Sequence, residues 1–418
     1  MAGGTKLLIL TVGGSADPLV SALREYGPDY TYFVCSGDSK GRPGSEVMVD
    51  GPGEPCGPGK KAIVFQLGLA PNVYEKIVLD NPDDLNEIWT RLEEVDRKAA
   101  AEFTSAQRWT NYTGGTKTMS VGAVLFSLER GWNLAFMEGP RRDLVRVTGG
   151  ENWIAVNTGK VKGGLLIGDC WDFLTGHDYA AAGDLLKPIL NDASVTLDFK
   201  DKILMLRNLC RAFESWDRFD HAQSLEMLER YKGGQIGCWK VEAKKIMGLI
   251  NAGPYFMVCD LLRNADRRAL HKNFDDAVAR LYRAVELLSQ TVLREKGMET
   301  SDLKVESLPV DLREKYSAMK NEKGKIQLPL VRGYELLVDL VDPLGIELYQ
   351  PNRDRLLNAI EIRNNSILAH GLAPVGEDGY EKSGRVMRDF VVSGLEMVAR
   401  GVAVSQLPGE EIIGWCGF

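Results

Sequence analysis

Hydrophobic residues in the first third of the chain form short continuous runs, separated by glycine-rich turns and by stretches of helical periodicity. Short continuous apolar runs are typical of strands buried on both faces, and apolar positions three or four apart are typical of helices. Their alternation predicts a mostly parallel sheet with helices on both faces. The predicted strands are Leu7 to Val12, Tyr30 to Cys35, Ile63 to Leu67, Lys76 to Leu79, Arg108 to Tyr112 and Trp132 to Met137. The predicted helices are Leu19 to Glu25, Asp83 to Phe103 and Ser120 to Leu128, and a hairpin of Leu144 to Thr148 with Trp153 to Asn157 is expected to follow.

The pattern changes after about Gly168, where strand signals end and amphipathic helices continue to the C-terminus. One strong apolar stripe runs from Phe274 to Leu288 at the spacing of a helix face. Another long helix is predicted after Pro351, with Asn352 as its cap, ending near Gly371. We therefore expect an α/β plus all-α chain, with an α/β domain at 1–167, a helical connector or domain extension at 168–264 and an all-α domain at 265–418.

Composition favours no particular activity, because hydrophobic residues at 44% and charged residues at 26% are average for globular proteins. The net charge of −7 argues against a broad phosphate-binding surface, so we expect no stable DNA binding. The seven cysteines are scattered and include no C-x-x-C pair, which predicts reduced thiols. An export signal and an apolar run of membrane-spanning length are both lacking, so we expect a cytoplasmic protein without membrane contact.

Two glycine-containing turns each follow a predicted strand and precede a predicted helix, and they are Gly13-Gly14-Ser15 and Thr113-Gly114-Gly115-Thr116-Lys117. Free backbone N–H groups and the positive end of a helix suit such turns to anion binding. Because ligands of open α/β sheets bind outside the carboxyl ends of strands, we expect both turns to border one cleft. The threonine hydroxyls and the lysine of the second turn add donors suited to a phosphodiester or a ribose. The alternative is that the glycines only allow the chain to turn.

Neither turn fits the common nucleotide-binding or hydrolase motifs. A Walker loop requires glycine directly before its lysine, and Thr116 occupies that position. Gly13-Gly14 lacks the G-x-G-x-x-G spacing of a dinucleotide-binding fold. The same segment, through Asp17, also lacks the G-x-S-x-G nucleophile elbow. ATPase, dehydrogenase and serine hydrolase functions therefore lose their usual support.

Arg363 and His370 are seven residues apart in the last predicted long helix, so both side chains are expected on one face. Beside them lie the small residues Ala359 and Ser366, which would let another helix approach closely. The alternative is that Arg363 pairs with a carboxylate such as Glu361 or Glu286, and that the histidine is satisfied within a core. The other histidines are scattered and no H-E-x-x-H motif occurs, so no metal site is predicted.

Taken together, these motifs resemble the CRISPR-associated ribonucleases of type III systems, which join a Rossmann-like CARF domain to a helical HEPN domain. The two glycine turns are similar to the ligand-facing loops of a CARF domain. The HEPN motif is an arginine, a polar residue and, after a gap of four to six residues from the arginine, a histidine. Arg363, Asn364 and His370 fit this motif with a gap of six. Phe274 to Leu288 also resembles the long helix that packs beside the catalytic one.

The resemblance implies that the CARF domain at 1–167 binds an activator, a cyclic oligoadenylate of four or six adenylates, and that no cofactor is needed. The implied ligand-binding residues are Gly13, Gly14, Ser15, Ser36, Thr113, Gly114, Gly115, Thr116 and Lys117. It also implies a homodimer whose HEPN domains at 265–418 cleave single-stranded RNA. The implied catalytic residues are Arg363, Asn364 and His370.

The expected reaction is metal-independent attack of a ribose 2′-hydroxyl on the neighbouring phosphorus, which leaves a 2′,3′-cyclic phosphate. His370 is expected to move protons, Arg363 to stabilise the phosphate charge, and Asn364 to orient either group. Seven residues of helix span ~10 Å, so we expect two copies of the site to meet across a two-fold axis. Two alternatives remain open, a ring nuclease that destroys the cyclic messenger and a ligand-sensing dimer or regulator without catalytic activity.

Overall fold

A computed structural model describes residues 4–39, 43–139, 141–142, 146–147, 152–193 and 195–418, with only the backbone described at 141, 142, 146 and 147. The chain divides into two compact units. One unit comprises Met1–Leu165 with Asn191–Phe199, and the other comprises Leu166–Leu190 with Lys200–Phe418. No helix within the described ranges combines the length and the apolar character needed to cross a membrane.

The first unit contains a six-stranded sheet in the order β3-β2-β1-β4-β5-β8. The first five of these strands run parallel, and only the edge strand β8 is antiparallel to its neighbour β5. The strands of this unit are β1 (Lys6–Thr11), β2 (Tyr30–Ser36), β3 (Tyr74–Leu79), β4 (Gln107–Asn111), β5 (Asn133–Glu138), the two-residue β6 (Arg141–Arg142) and β7 (Arg146–Val147), and β8 (Asn152–Val156). This sheet is the mostly parallel, Rossmann-like arrangement expected from the sequence.

Helices cover both faces of this sheet. They are α1 (Asp17–Tyr26), α2 (Val47–Asp50), α3 (Ile63–Leu67), α4 (Leu85–Glu102) and α5 (Lys117–Arg130). Alternate residues of β1 point to opposite faces, so Leu8 and Leu10 join the core beneath α1 to α3. Leu7 and Ile9 join the core beneath α4 and α5. All four side chains are fully buried, which explains why this strand reads as one continuous apolar run.

Two predictions for this unit are wrong. Ile63–Leu67 forms the short helix α3, because a five-residue apolar run fits a helical turn and a strand equally well, and Gly68 ends it in a left-handed conformation. The predicted hairpin partner of Trp153 to Asn157 was Leu144 to Thr148, whereas β8 pairs with β5. Of that predicted partner segment, residues 144, 145 and 148 lie outside the described residues.

The second unit is helical over its described residues, as predicted from the loss of strand signals. The helix α6 (Gly159–Thr175) begins in the first unit and continues into the second. It is followed by α7 (Tyr179–Leu185), α8 (Lys187–Leu190), α9 (Leu197–Asp217), α10 (His221–Glu229), α11 (Gly234–Ile246), α12 (Phe256–Leu270), α13 (Phe274–Glu295), α14 (Val310–Ser317), α15 (Leu330–Asp339), the π-helical segment Leu344–Tyr349, α16 (Gln350–Asn364), α17 (Glu377–Lys382), α18 (Gly384–Val398) and α19 (Glu411–Trp415).

The long helix α13 lies at the centre of the C-terminal bundle and packs against α12, α15, α16, α17 and α18. Its buried face contains Ala277, Val278, Leu281, Val285 and Leu288. These residues belong to the apolar stripe seen in the sequence, so that helix is confirmed. The stripe is apolar because neighbouring helices surround it on most sides.

The last predicted long helix differs from the structure at both ends. It continues directly from the π-helical segment at Gln350, and the Asn352 side chain donates to the Leu348 carbonyl (2.9 Å) instead of capping a helix start. It ends at Asn364, so His370 lies in a turn outside the helix. The prediction that Arg363 and His370 share one helix face is therefore wrong.

Candidate active site and ligand site

The turn after α16 brings His370 back to the end of the helix that carries Arg363. The His370 backbone N–H donates to the Asn364 carbonyl (3.1 Å), and the Gly371 N–H donates to the Ser366 carbonyl (3.2 Å). A continuous helix would have carried the histidine about 10 Å further along the axis. The turn therefore places the three predicted catalytic residues at one helix end, closer together than the sequence pattern suggested.

Gly371 is required for this turn, because a side chain there would collide with the preceding backbone. A Cβ on Gly371 would lie 1.8 Å from the Asn365 carbonyl oxygen. The turn is also tied to the bundle, since the Val375 N–H donates to both carboxylate oxygens of Asp275 on α13 (3.0 and 3.1 Å). Two backbone constraints thus hold the segment that carries His370.

Arg363 has no carboxylate partner among the described residues. Its Nη1 donates to Asn364 Oδ1 (3.2 Å), and its Cζ lies 4.3 Å from the ring centroid of Tyr282 on α13. Its Nε is buried and lacks a hydrogen-bond acceptor within the described part of the chain. Glu286, one predicted alternative partner, binds Arg283 instead (2.8 Å). No carboxylate among the described residues therefore neutralises the Arg363 guanidinium.

The pKa of the Tyr282 phenol depends on the charges around this guanidinium. Burial is the largest effect and raises the pKa of Tyr282, and the nearby Glu286 carboxylate raises it further. The Arg363 cation opposes both effects, because positive charge stabilises a phenolate. Arg363 therefore favours the phenolate form of Tyr282, against the larger effects of burial and of Glu286 on this pKa.

The four histidines differ in what their rings contact. His221 Nε2 lies 2.9 Å from Asp260 Oδ2, His177 Nδ1 lies 3.1 Å from the Tyr179 hydroxyl, and His271 Nε2 contacts the Gly176 carbonyl. His370 is exposed, and its ring forms no hydrogen bond within the described ranges. Of the four imidazoles, His370 is thus the one with neither ring nitrogen in contact with a described residue.

Exposed apolar side chains flank this turn. Ile367, Leu368 and Leu372 are 58%, 50% and 89% exposed, which is unusual for large apolar residues close together in sequence. By contrast, the small residues predicted to receive another helix are covered from within the chain. Ala359 and Ser366 are buried, and the Ser383 hydroxyl donates to the Ala359 carbonyl (2.7 Å). An association surface at this site would therefore involve the three exposed side chains.

In the first unit, the two glycine turns lie at the carboxyl ends of the neighbouring strands β1 and β4. Later strands add on opposite sides of this pair, so the turns occupy the topological switch point. The turns touch, because a Cβ on Gly13 would lie 2.6 Å from the Gly115 backbone nitrogen, and the Thr11 hydroxyl at the end of β1 donates to the Gly114 carbonyl (2.6 Å). A Cβ on Gly114 would lie 2.4 Å from the Thr11 carbonyl oxygen, so only glycine fits there. The two turns thus lie side by side, and the cleft that they are expected to border stays a prediction.

Several predicted ligand donors are occupied by contacts within the chain. The Thr113 hydroxyl donates to Asn111 Oδ1 (2.6 Å) and accepts from the Met137 N–H (2.7 Å). The Thr116 hydroxyl donates to the Pro82 carbonyl (2.9 Å) and accepts from the Met119 N–H (3.1 Å), which caps α5. Ser36 uses its hydroxyl to bind the loop at Ser45 (2.9 Å). These three hydroxyls therefore hold the local backbone in place and are already hydrogen-bonded within the chain.

Other predicted donors remain available. Within the described part of the chain, the backbone N–H groups of Gly13, Gly14, Gly114 and Gly115 have no acceptor. Ser15 and Lys117 are exposed, and Lys117 is the first residue of α5, where the helix dipole is positive. The site is thus built from backbone donors and one cation, which is the usual composition of an anion site.

The sequence analysis missed two residues of this site. Asn111 is fully buried at the end of β4 and accepts from both the N–H and the hydroxyl of Thr113. Thr11 connects the two turns. Both residues were read only as parts of strands, because the Thr11 contact joins distant parts of the chain and the Asn111 contact depends on how the turn after β4 folds back.

Metal ligation has no candidate in the described ranges, where no group of three or more His, Cys, Asp or Glu side chains converges. The expectation of metal-independent chemistry stays a prediction.

Comparison with known proteins finds one matching family model and one shared fold. The family model of the Csm6 HEPN domain matches residues 249–394, which include Tyr282, Arg363 and His370. Csm6 from Enterococcus italicus, in a structure bound to cyclic hexa-2′-fluoro-hexa-dAMP, superposes with a TM-score of 0.62 at 11% identity. That alignment covers 99% of this chain and 98% of the Enterococcus chain. No curated protein sequence matches the chain.

Two further solved structures align less well. Can2 from Sulfobacillus thermosulfidooxidans, in complex with cyclic tetra-adenylate, aligns over 70% of both chains at 9% identity with a TM-score of 0.24. A type III CRISPR defence DNA nuclease activated by cyclic oligoadenylate aligns over 54% of this chain and 35% of its own at 15% identity, with a TM-score of 0.25. Such low scores do not establish a shared fold.

The evidence for identity thus combines a HEPN family match in the second unit with a shared fold along nearly the whole chain. The first unit, a Rossmann-like sheet with paired glycine turns at its switch point, lies within the part of the chain that shares the fold of the Enterococcus protein. The chain is therefore similar to Csm6: residues 249–394 match its HEPN domain family, and the fold is shared along nearly the whole chain.

Proposed function

We propose that this protein is an endoribonuclease of type III CRISPR defence that cleaves single-stranded RNA when a cyclic oligoadenylate binds its CARF domain. The main support is the cluster of Arg363, Asn364 and His370 within the Csm6 HEPN match. The arginine has no carboxylate partner and the imidazole is exposed, so both groups are available to an RNA phosphate.

The proposed reaction needs no metal ion. The 2′-hydroxyl loses its proton and attacks the adjacent phosphorus, and the bond to the 5′-oxygen of the next nucleotide breaks. His370 takes up or returns the proton, in a step that typically contributes 10²–10⁴-fold. Arg363 stabilises the charge that develops on the phosphoryl oxygens, and the products are a 2′,3′-cyclic phosphate and a 5′-hydroxyl.

The activator is proposed to bind at the glycine turns of the first unit. Their free N–H groups, together with Lys117, would bind the phosphodiesters of the ring. The Enterococcus Csm6 structure contains an analogue with six nucleotides, so the six-membered ring deserves the first test beside the four-membered ring.

A homodimer is the proposed active form. Ile367, Leu368 and Leu372 would be buried by a second copy of the same turn, because a two-fold axis brings identical surfaces together. Such pairing would surround one RNA phosphate with side chains from both copies.

The test is cleavage of an end-labelled single-stranded RNA without activator, with cyclic tetra-adenylate and with cyclic hexa-adenylate, each with and without EDTA. We expect cleavage only with one of the rings, unchanged by EDTA and ending in a 2′,3′-cyclic phosphate. Arg363→Ala and His370→Ala should each lower the rate by about 100-fold or more. Arg353→Ala, an exposed arginine on the same helix, and His271→Ala are the matched controls.

Three outcomes would contradict the proposal. Cleavage that requires a divalent metal would exclude the mechanism, and activity that survives both alanine variants would exclude the site. Intact RNA together with linear oligoadenylate products would instead identify a ring nuclease.

A further inference from the structure

Tyr282 is the aromatic residue against which the proposed catalytic arginine rests. The Arg363 Cζ lies 4.3 Å from the centroid of the Tyr282 ring, within the distance of a cation–π contact. The only other side-chain contact described for this guanidinium is the hydrogen bond from Nη1 to the neighbouring Asn364. The tyrosine ring is therefore its main fixed support outside its own helix.

The chemistry of this support differs from that of an ion pair. A carboxylate would occupy N–H donors at the edge of the guanidinium and neutralise its charge. An aromatic ring contacts the face of the guanidinium plane and leaves the donors at its edge free. Tyr282 therefore contacts Arg363 without neutralising its charge, and Nη2 has no acceptor within the described part of the chain.

The helix backbone that carries the Tyr282 ring is held by buried neighbours. Tyr282 lies on α13 between residues whose side chains are fully buried in the bundle, Leu281 and Val285. Glu286, one turn further along, is held by Arg283 (2.8 Å) and does not compete for Arg363. The buried face of α13 thus fixes the backbone that carries the Tyr282 ring, and the ring in turn contacts Arg363.

We propose that Tyr282 is a positioning residue for RNA cleavage, whose ring orients the Arg363 guanidinium toward the scissile phosphate. This inference rests on the proposed function and extends it to a residue outside the arginine-to-histidine motif. It predicts that the ring matters and that the hydroxyl does not.

The experiment compares Tyr282→Phe and Tyr282→Leu in single-turnover RNA cleavage at saturating cyclic oligoadenylate. Tyr282→Phe should retain the wild-type rate within about twofold, because it keeps the ring. Tyr282→Leu should slow cleavage by roughly three- to thirty-fold, the range that corresponds to loss of one cation–π contact. The loss should appear in the rate constant, with the half-maximal activator concentration and the melting temperature close to wild type.

Phe274→Leu is the matched control, since it removes another ring of α13, which packs against Tyr380 with centroids 5.1 Å apart. An equal rate loss in Phe274→Leu, or in Tyr282→Phe, would overturn the inference, because neither change removes a ring beneath Arg363. A wild-type rate in Tyr282→Leu would do the same.

Arg363→Ala separates the failure of the proposed function from the failure of the role of Tyr282. If that variant remains active the proposed function fails, and if it is inactive while Tyr282→Leu is normal only the role of Tyr282 fails.

Discussion

At the scale of single residues, each candidate site contains polar groups that are bonded within the chain and others that have no partner among the described residues. Thr113, Thr116 and Ser36 use their hydroxyls for contacts within the chain, whereas Lys117 has an exposed side chain beside free backbone donors. In the HEPN site, Arg363 lacks a carboxylate and His370 is exposed. Residue type alone does not distinguish a ligand donor from a residue that builds the turn.

Lys117→Ala is therefore the most specific single substitution with which to test the proposed activator site. It removes a cation at the positive end of α5 without breaking a described contact. We expect the activator concentration for half-maximal RNA cleavage to rise by about tenfold or more, because a charge-assisted hydrogen bond contributes roughly 1.5–3 kcal/mol. The maximal rate should be unchanged.

Arg130→Ala is the control for this change, since Arg130 lies at the other end of α5, about 20 Å away, and pairs with Glu93. An unchanged activation curve for Lys117→Ala would remove Lys117 from the ligand site. Thr113→Ala is a poorer probe, because it would also break the contacts with Asn111 and Met137.

At the scale of elements, the decisive feature of the HEPN site is the end of α16. The helix stops at Asn364, and the turn that follows returns His370 to the helix end. The sequence offered a helical interpretation because Ile360 and Ile367 fit its periodicity. Ile367 is exposed in the structure, so its apolar side chain does not pack into the core of the bundle.

Gly371→Ala tests whether this turn positions the histidine. The new Cβ would collide with the Asn365 carbonyl oxygen, so the turn must open and displace His370. We expect RNA cleavage to fall by at least about tenfold, and the free energy of unfolding to fall by roughly 1–3 kcal/mol. Cleavage kinetics and chemical denaturation measure the two effects.

Gly376→Ala provides the matched control, because a Cβ there meets no atom within 4 Å. Wild-type cleavage by Gly371→Ala would mean that His370 does not depend on the turn.

At the scale of the whole molecule, the question is whether two copies associate through the HEPN turn. Large apolar side chains exposed close together usually mark an interaction site. Ile367, Leu368 and Leu372 meet this description beside the proposed catalytic residues. A second copy is the partner that would complete the site.

Leu368→Asp should weaken this association, because a charge would have to be buried against apolar side chains. We expect a larger monomer fraction in sedimentation velocity and at least about tenfold slower cleavage at equal protein concentration, partly recovered at higher concentration. Val310→Asp, at a 77% exposed position on α14, is the control. Unchanged mass distribution and unchanged cleavage for Leu368→Asp would argue against an interface at this turn.

The sequence by itself determined most of the elements that build the two units. It located the five parallel strands, and the stripe on α13 predicted the central helix, because burial imposes a local periodicity that each segment carries in its own residues. The motif of Arg363, Asn364 and His370 was likewise readable without coordinates.

Only the tertiary structure decided how these parts meet. The pairing of β8 with β5, the occupied hydroxyl of Thr113 and the ring of Tyr282 beneath Arg363 all depend on residues far apart in the chain. The turn at Gly371 depends on a backbone contact that has no signature in hydrophobic periodicity. Local patterns show which face of a segment is buried. Contacts between distant segments determine which elements pack together, and the geometry of both candidate sites depends on that packing as well as on local turns.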